Sequence, residues 1–342
     1  MQAKMRVIVT GGAGFIGCNA VERFVAAGHE VSVIDDLSRD GAEKNLAWLQ
    51  TRGKFTFHKC DIRDPRAVDA VFREHKDATA VLHLAAQVAV TTSVTNPRHD
   101  FEVNALGTFN VLEAARAHTP GAAFLYSSTN KVYGGLEHVG VVEKDGRWQY
   151  AGLPDGVSEK EQLDFHSPYG CSKGAADQYV RDYHRIYGLK TVSLRQSCIY
   201  GRRQFGVEDQ GWVAWFTIAA AKGRPITIYG DGKQVRDVLF VDDLLDAFEA
   251  AIGRIDQVKG QVFNIGGGPS NVMSLHQLIE KLEKHSGKKI ERRYAEWRPG
   301  DQKVFVCDVR KAQRDLGWSP KIDTDAGVEK LHAWVGKNLD IF

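Results

Sequence analysis

The chain has 342 residues, of which 43% are hydrophobic and 26% are charged, a balance typical of globular proteins. Its 45 Lys and Arg residues almost cancel its 43 Asp and Glu residues, which leaves a net charge of +2. This balance excludes an electrostatic basis for nucleic acid or an anionic membrane as the main partner. At about 150 residues per domain, the length suggests two domains.

Hydropathy and cysteine spacing exclude further classes of protein. The most apolar stretch, Trp212–Ala221, has 10 residues, well below the roughly 20 that span a bilayer. The N-terminus lacks a secretory cleavage pattern, so we expect a cytoplasmic protein. No CxxC pair occurs, and the spacing of the cysteines favours free thiols over disulfides or a zinc site. The five cysteines are Cys18, Cys60, Cys171, Cys198 and Cys307.

Apolar periodicity predicts alternating strands and helices over the first 200 residues. We expect strands at 5–10, 31–34, 55–58, 80–84, 122–127 and 191–195. Helices are predicted from the glycines after residue 10 to residue 27, and at 65–73, 101–117 and 169–187. Strands that alternate with helices pair in parallel through right-handed crossovers, so the pattern predicts an α/β fold with a Rossmann-type, doubly wound parallel sheet.

The pattern changes after residue 200. The glycine-bearing polar stretch 201–211 predicts a loop. The segment 238–252 predicts a strand followed by a helix, and 262–265 predicts another strand. We expect both pieces to return to the first sheet. The predicted domains are therefore residues 1–200 with 237–266, and a smaller, discontinuous C-terminal domain of residues 201–236 with 267–342.

A glycine-rich motif, TGGAGFIG, joins the first strand to the first helix. Gly11 permits a tight turn, Gly14 lets a pyrophosphate approach the backbone, and Gly17 lets the helix pack closely on the sheet. Phe15 and Ile16 begin the helix, whose free N–H groups and positive dipole end favour phosphate. The motif therefore predicts a dinucleotide-binding site.

An acidic residue ends the second strand at close to the usual spacing of about 20 residues from the last glycine. This residue, Asp35, is expected to accept hydrogen bonds from the adenosine ribose and to repel a 2′-phosphate, which favours NAD over NADP. Further cofactor contacts are expected after the third and fourth strands, at Asp61, Ile62, Leu84, Ala85 and Ala86. His83 itself is interpreted as a core histidine.

Candidate catalytic residues lie at the end of the fifth strand and at the start of a long helix. Tyr169 and Lys173 are four residues apart, so their side chains share one face of the helix. A nearby ammonium and a positive nicotinamide ring both favour the phenolate form of a tyrosine, whose ordinary pKa is about 10. Thr129 ends the fifth strand, where it is expected to bind the hydroxyl group that Tyr169 deprotonates. We predict no metal site.

With these residues, the chain resembles the extended short-chain dehydrogenase/reductases, the family of nucleotide-sugar epimerases and dehydratases. The resemblance covers essentially the whole chain and is carried in order by TGGAGFIG, HLAAQ, YSSTNKVYG, SPYGCSK, QVRDVLFVDD, FNIGG and RPGDQ. Four longer stretches are similar to the branch that epimerises a CDP-linked 3,6-dideoxyhexose at C2. They are YSSTNKVYG, QLDFHSPYGCSKGAADQY, DQGWVAWF and GKQVRDVL.

The resemblance implies roles for individual residues. Thr129, Tyr169 and Lys173 match the catalytic Ser/Thr, Tyr and Lys, with Tyr169 and Lys173 also contacting NAD. Arg236 and Arg298 match arginines that grip the substrate diphosphate, a task that suits the guanidinium fork. Gln87 is a further expected substrate contact. Asn130 is expected either to contact the sugar or to form local hydrogen bonds at the end of the strand. A homo-oligomer, either a dimer or a tetramer, is implied by analogy through the helices at 101–117 and 169–187.

The family also offers alternatives. A UDP-sugar 4-epimerase is the second hypothesis, although those enzymes usually carry an Asn where this chain has Cys198. A 4,6-dehydratase is disfavoured because Asn130 and Lys131 replace the Asp-Glu pair that follows the catalytic Thr. A non-catalytic NAD-binding scaffold is disfavoured by the intact catalytic set. The expected reaction is therefore NAD-dependent epimerisation through a transient keto sugar, at C2 of a CDP-sugar.

Overall fold

A computed structural model describes residues 4–298 and 300–342 of the chain. Pro299, within the RPGDQ motif, lies outside the described residues. None of the helices in these two ranges has the length and hydropathy required to cross a bilayer. All five cysteines are free, and Cys18, Cys60 and Cys307 are buried.

The strands and helices predicted for the first 200 residues occur in the predicted order. The structure adds helices at Ala42–Gln50 and Val90–Thr95 and strands at Val141–Lys144 and Arg147–Tyr150, which the sequence analysis did not predict. The strands are β1 (Arg6–Thr10), β2 (Glu30–Asp35), β3 (Thr56–Lys59), β4 (Ala80–His83), β5 (Ala123–Thr129), β6 (Val141–Lys144), β7 (Arg147–Tyr150), β8 (Lys190–Gln196), β9 (Cys198–Tyr200), β10 (Ile226–Tyr229), β11 (Val235–Phe240), β12 (Gln261–Ile265), β13 (Val272–Ser274), β14 (Arg292–Ala295) and β15 (Val304–Phe305). The helices are α1 (Phe15–Ala26), α2 (Ala42–Gln50), α3 (Pro65–Glu74), α4 (Val90–Thr95), α5 (Pro97–Phe101), α6 (Gly107–His118), α7 (Ser167–Tyr187), α8 (Trp212–Ala221), α9 (Val241–Gly253), α10 (Ile255–Val258), α11 (Leu275–Ser286), α12 (Arg310–Leu316) and α13 (Thr324–Lys337).

A seven-stranded sheet with the order β12-β8-β5-β4-β1-β2-β3 confirms the predicted fold class. The pairings of β1 with β2 and β4, of β2 with β3, and of β4 with β5 are all parallel. Val9 lies opposite Val33 on one side and Leu82 on the other, and all three are fully buried. Strands covered on both faces form such continuous apolar runs. The carboxyl ends of β1, β2, β4 and β5 therefore meet at one edge.

The chain divides into two compact units. The first unit contains residues up to 132, 167–195 and 245–263, and the second contains 133–166, 196–244 and 264–342. The second unit thus includes 133–166 and 237–244, which the sequence analysis assigned to the first domain. The reason for the first difference is visible within the second unit, where β7 donates the Trp148 N–H to the Lys233 carbonyl oxygen.

One predicted strand pairing is wrong. Strand β12 joins the central sheet as expected, but β11 does not. It pairs in parallel with β9 and β15 and antiparallel with β13, in a separate sheet of the second unit. Apolar periodicity predicts that this segment is a strand, but it holds no information about which edge the strand joins.

The helix predicted at 101–117 is interrupted. A π-helical turn at Glu102–Leu106 separates α5 from α6. Thr108 donates its hydroxyl to the Asn104 carbonyl oxygen at 2.6 Å, and the Asn104 amide is used in contacts outside the helix. A π-turn in a helix often marks a functional site.

Helix α7 is anchored to the sheet by a buried ion pair. Arg195 of β8 donates from Nη2 to Asp177 Oδ1 at 2.9 Å, and the two side chains are 2% and 0% exposed. The Ser128 and Ser193 hydroxyls donate to Asp177 Oδ2 at 2.8 and 2.5 Å. Burial alone would raise the pKa of Asp177, but the hydrogen bonds and charge of Arg195 hold that pKa below its usual value.

Replacing Arg195 with Met is expected to lower the free energy of unfolding by about 3–5 kcal/mol, because it leaves the Asp177 carboxylate buried without a cation. The urea unfolding midpoint measures this loss. The loss should shrink as the pH falls through the pKa of Asp177, since a depressed carboxyl pKa contributes stability only above it. Arg6→Met is the control, because its partners Glu30 and Asp77 are more than half exposed. Equal effects of the two substitutions would contradict the assigned role.

Candidate active site

The glycine motif forms a tight turn against the end of β4. Gly11 adopts a φ of +69°, and a Cβ atom added to it would lie 2.7 Å from the Ala85 backbone nitrogen. A Cβ atom on Gly17 would lie 2.0 Å from the Gly11 carbonyl oxygen. Both positions therefore require glycine, one for its backbone conformation and both for close approach. The turn brings β1, α1 and Ala85 together as the sequence predicts.

The start of α1 fits the pyrophosphate of a dinucleotide. Gly14 precedes the helix in an extended conformation, no side chain caps the helix, and its first turn holds no acidic residue. The N–H groups of that turn, which include Phe15 and Ile16, therefore point away from the helix without an intrahelical acceptor. A Cβ atom on Gly14 would already approach the Gly11 carbonyl oxygen to 3.2 Å, so only glycine leaves the space beside the turn open.

Asp35 lies at the end of β2, where a ribose is expected. Its two carboxylate oxygens accept the backbone N–H groups of Ala13 at 2.9 Å and Leu37 at 2.8 Å. Each oxygen keeps a second lone pair, which two ribose hydroxyls would use. Burial raises the pKa of Asp35, and backbone hydrogen bonds from Leu37, Ala13 and Gly14 oppose that rise. The carboxyl group is thus fixed in direction by the glycine loop itself.

The other predicted cofactor contacts lie in the same unit. Asp61 follows β3, and its carboxylate receives Arg63 Nη2 at 2.6 Å. Ile62 is buried in the core, where a Cβ atom on Gly107 would meet its side chain at 2.6 Å. Leu84 and Ala85 both donate their backbone N–H groups to Thr10 Oγ1 at 3.2 Å.

His83 is a core histidine, as interpreted from the sequence. Thr10 Oγ1 accepts two backbone N–H groups, so its hydroxyl donates to His83 Nδ1 at 2.7 Å. The ring then carries its proton on Nε2, which lies 2.9 Å from Thr108 Oγ1. Burial, together with the Lys173 charge, lowers the pKa of His83 to about 3. The ring therefore stays neutral and links the ends of β1 and β4 to α6.

The three predicted catalytic side chains lie together in the first unit. Thr129, Tyr169 and Lys173 are 7%, 8% and 3% exposed. Thr129 forms a side-chain hydrogen bond with Tyr169 and donates to Asn130 Oδ1 at 3.3 Å. The Lys173 Nζ atom donates to the Ser127 carbonyl oxygen at 2.7 Å and lies 4.3 Å from the centre of the Tyr126 ring. Strand β5 thus holds both the hydroxyl and the ammonium group.

The start of α7 has a local cause. Ser167 adopts a φ of +62°, which is rare for a residue with a side chain, and its hydroxyl oxygen accepts the Gly170 N–H at 3.2 Å. Pro168 follows, and its fixed φ favours the first helical turn. Tyr169 therefore enters the helix in its first turn, four residues before Lys173.

The pKa values of the pair differ from the sequence-based expectation. Burial raises the pKa of Tyr169 to about 12, although the Thr129 hydrogen bond opposes this rise. Burial lowers the pKa of Lys173 to about 7, and the charges of Asp177 and Asp100 oppose that fall. In the protein alone, desolvation exceeds the expected effect of the ammonium group on the phenol. Further positive charge beside Tyr169 is needed before the phenolate is favoured at neutral pH.

Sequence reasoning missed a buried polar cluster behind this pair. Asp100, fully buried on α5, accepts the Ser172 hydroxyl at 2.5 Å, Gln87 Nε2 at 2.7 Å and Asn104 Nδ2 at 3.1 Å. Asn104 Oδ1 in turn accepts the Gln87 backbone N–H at 2.9 Å. Ser172 lies within the SPYGCSK motif, but no spacing rule links it to Asp100.

Gln87 and Asn130, the two predicted substrate contacts in the first unit, form contacts within the protein. Gln87 uses both amide hydrogens within the protein, one to Asp100 and one to the Ala89 carbonyl oxygen at 2.9 Å. Its Oε1 atom accepts the Ala89 N–H at 2.5 Å. Asn130 begins the turn after β5, beside Thr129. Contacts of either residue with a substrate stay a prediction.

The two predicted diphosphate arginines belong to the second unit. Arg236, on β11, donates to the Val235 carbonyl oxygen at 2.8 Å, and no carboxylate within residues 4–298 and 300–342 pairs with it. Arg298 stacks on the Tyr229 ring at 3.8 Å and lies 3.3 Å from Asp209 Oδ1. A half-buried guanidinium without an anion and one held flat on an aromatic ring both suit phosphate binding.

Cys198 begins β9, where it pairs with Val238. Its neighbour Ser197 donates its hydroxyl to the Asp237 carboxylate. Trp212, which begins α8 in the same unit, packs its ring edge-on against Phe216 at 6.0 Å between centroids. Trp212 belongs to the DQGWVAWF motif, whereas Cys198 lies outside the motifs found in the sequence.

Comparison with known proteins identifies the family of this chain. Residues 8–331 match the family model described as GDP-mannose 4,6 dehydratase. The CDP-paratose 2-epimerase of Salmonella typhi is 44% identical over 337 residues, which cover 96% of this chain and 99% of that protein.

Solved structures give the same family. A UDP-glucose 4-epimerase from Thermotoga maritima, solved with UDP-glucose, has a TM-score of 0.84 and 33% identity, covering 98% of this chain and all (100%) of that one. The Thermus thermophilus UDP-glucose 4-epimerase, solved with NAD, has a TM-score of 0.80 and 35% identity, covering 96% and 98%. The chain therefore belongs to the GDP-mannose 4,6 dehydratase family of short-chain dehydrogenase/reductase-type nucleotide-sugar epimerases and dehydratases.

Proposed function

We propose that this protein is an NAD-dependent nucleotide-sugar epimerase that interconverts CDP-paratose and CDP-tyvelose at C2 of the sugar. The observation that carries the reaction class is the buried set of Thr129, Tyr169 and Lys173 at the end of β5, in the same unit as the glycine loop. Support for the substrate comes from the 44% identity to a CDP-paratose 2-epimerase over nearly the full length of both chains.

Tyr169 is the proposed base and acid. Its phenolate takes the proton of the C2 hydroxyl while the C2 hydrogen leaves as hydride, which gives a 2-keto sugar. The Thr129 hydroxyl, which already hydrogen-bonds Tyr169, holds the reacting oxygen. On return of hydride to the opposite face of C2, Tyr169 gives the proton back, so the overall reaction consumes no redox equivalent.

Lys173 supplies positive charge and orientation. Its ammonium group, fixed by the Ser127 carbonyl oxygen, is expected to stabilise the Tyr169 phenolate and to hold the nicotinamide ribose. Bound NAD⁺ supplies the hydride acceptor and a second positive charge. That charge lowers the pKa of Tyr169, against the rise that burial causes.

Epimerisation requires the keto sugar to present its other face while the nucleotide stays anchored. Arg236 and Arg298 are the proposed anchors for the diphosphate, because guanidinium groups bind phosphate oxygens in a bidentate manner. Gln87 and Asn130 are proposed to contact the sugar. The first unit would hold NAD and the second the nucleotide.

A UDP-sugar 4-epimerase is the second candidate. It is favoured by the likeness to 4-epimerase structures at TM-scores of 0.84 and 0.80. Cys198, at the position where 4-epimerases of this family usually carry Asn, weighs against it. The two candidates share the catalytic set and differ only in the nucleotide and in the carbon that faces the nicotinamide.

The cytoplasm is the proposed compartment. Five free cysteines, three of them buried, suit a reducing environment. NAD bound in the protein and a nucleotide-sugar substrate are consistent with the same location.

The purified enzyme is expected to convert CDP-paratose to its C2 epimer without added NAD. Proton NMR measures this conversion. Tyr169→Phe should lower the turnover by at least about 10³-fold, since it removes the proton-transferring group. NAD released on denaturation should be unchanged, because the phenol hydroxyl is not needed to hold the dinucleotide. Tyr294→Phe, at a tyrosine that is 59% exposed, is the matched control and should keep wild-type turnover.

Near-wild-type turnover of Tyr169→Phe would contradict the role of Tyr169. A wild-type enzyme that releases NAD but leaves CDP-paratose unchanged would contradict the substrate. Conversion of UDP-glucose by that same enzyme would then favour the second candidate.

A homo-oligomer is the proposed assembly, formed through α5, α6, α7 and the π-turn. Large apolar side chains are exposed along these elements of the first unit. They are Phe101, Leu106, Phe109, Tyr179, Ile186 and Tyr187, with exposures from 38% to 66%. A cluster of exposed apolar side chains on one surface is typical of a protein–protein interface.

Ile186→Lys is expected to convert the oligomer to a 37.9 kDa monomer in sedimentation velocity, because it places a charge on the most exposed apolar residue of this surface. Val142→Lys is the control, since Val142 is 44% exposed on the β6–β7 hairpin. A wild-type protein that sediments as a monomer, or an Ile186→Lys variant that does not dissociate, would contradict this interface.

A further inference from the structure

We infer that Asp100 is a positioning residue for proton transfer at Tyr169: its carboxylate fixes Ser172, between Tyr169 and Lys173 on α7, and its buried negative charge favours the ammonium form of Lys173. The inference rests on the proposed function for the proton that is moved. Helix α5, already proposed as part of the oligomer interface, would then also support the catalytic set, although it contributes no residue to that set.

Three hydrogen bonds fix the orientation of the Asp100 carboxylate. Asp100 is 0% exposed and accepts three neutral donors, from Ser172, Gln87 and Asn104, at 2.5–3.1 Å. Neutral donors orient a carboxylate without cancelling its charge. A buried carboxylate held in this way stays a source of negative potential for the groups around it.

Ser172 transmits the position of Asp100 to α7. Its hydroxyl lies 2.5 Å from Asp100 Oδ2 and 3.2 Å from the Tyr169 carbonyl oxygen, and it accepts Asn104 Nδ2 at 3.2 Å. Asp100 therefore connects α5 to the helical turn that carries both Tyr169 and Lys173. A shift of that turn would move the phenol and the ammonium together.

Two buried carboxylates, Asp177 and Asp100, favour the charged form of Lys173. Asp177, on α7, is already paired with Arg195 of β8. His83, on β4, is neutral because burial lowers its pKa to about 3. Tyr126, on β5, is neutral because burial raises its pKa well above the usual value.

Further charged groups act on Asp100 and Tyr169. Burial raises the pKa of Asp100. The hydrogen bonds from Ser172 and Gln87, and then the charges of Lys173 and His99, oppose that rise. Arg39, which follows β2, acts on Tyr169 and lowers its pKa, whereas Asp100 raises it. Burial lowers the pKa of Lys173 to about 7, and the charges of Asp177 and Asp100 both oppose that fall. Removal of the Asp100 charge therefore lowers the pKa of both Lys173 and Tyr169.

The test is a pH titration of Lys173 in the NAD-bound protein by NMR of ε-¹³C-lysine, with the resonance identified by its loss in Lys173→Met. Asp100→Asn is nearly isosteric, and Ser172 keeps the Tyr169 carbonyl oxygen as an alternative acceptor. The variant should lower the pKa of Lys173 by about one unit. Asp100→Ser, a second neutral variant, should do the same, and Asp100→Glu should restore the wild-type value.

The control is Asp145→Asn, which makes the same change in charge at the exposed tip of the β6–β7 hairpin and should leave the titration unchanged. With CDP-paratose, the pH optimum of kcat for Asp100→Asn should move to lower pH, with about a tenfold loss on the alkaline side. An unchanged pKa of Lys173 in a folded neutral variant, or a loss of kcat that is equal at every pH, would overturn the inference. Failure of the wild type to epimerise CDP-paratose would instead count against the proposed function, because the NMR titration needs no substrate.

Discussion

The burial of Lys173 is the constraint on which the rest of the site depends. A cation that is 3% exposed persists only if the protein replaces its lost hydration, and the Ser127 carbonyl oxygen, the Tyr126 ring and the nearby carboxylates do so. Each of these partners is fixed in turn by the contact of α7 with the sheet. The ion pair of Asp177 and Arg195, one turn further along α7, clamps that contact. The same packing that stabilises the helix therefore sets the charge state of the side chain that the reaction needs.

The parallel sheet explains why the site forms where it does. Thr10, Asp35, His83 and Thr129 each end a strand, and the strands they end are neighbours in the order β5-β4-β1-β2. The Thr10 hydroxyl donates to His83 and accepts the backbone N–H groups of Leu84 and Ala85, and these hydrogen bonds join two of the strand ends directly. The glycine loop, the ribose carboxylate and the catalytic hydroxyl thus depend on one edge of one sheet. A loop-built site would not hold Thr129 in hydrogen-bond contact with Tyr169 so reproducibly.

Sequence patterns predicted the sheet and the catalytic set because both depend on local rules. Apolar periodicity located β1 to β5, and the four-residue spacing placed Tyr169 and Lys173 on one face of α7. The pairing of β11 was wrong because edge choice depends on tertiary contacts. The two-residue strand β15 carries too little apolar pattern to be found from the sequence. Asp100 escaped notice because Ser172, the partner that links it to α7, is 72 residues away along the chain. The raised pKa of Tyr169 could not be foreseen, since burial is a property of the folded chain.

The central claim is that the enzyme inverts C2 by removing and returning the same hydride, with Tyr169 moving the hydroxyl proton. The most direct measurement uses CDP-paratose deuterated at C2, incubated with the enzyme in ordinary water and analysed by NMR and mass spectrometry. The account predicts CDP-tyvelose that keeps its deuterium at C2, because the hydride never exchanges with solvent. A product that carries a solvent proton at C2 would contradict the account, since it would mean that the carbon is deprotonated rather than oxidised.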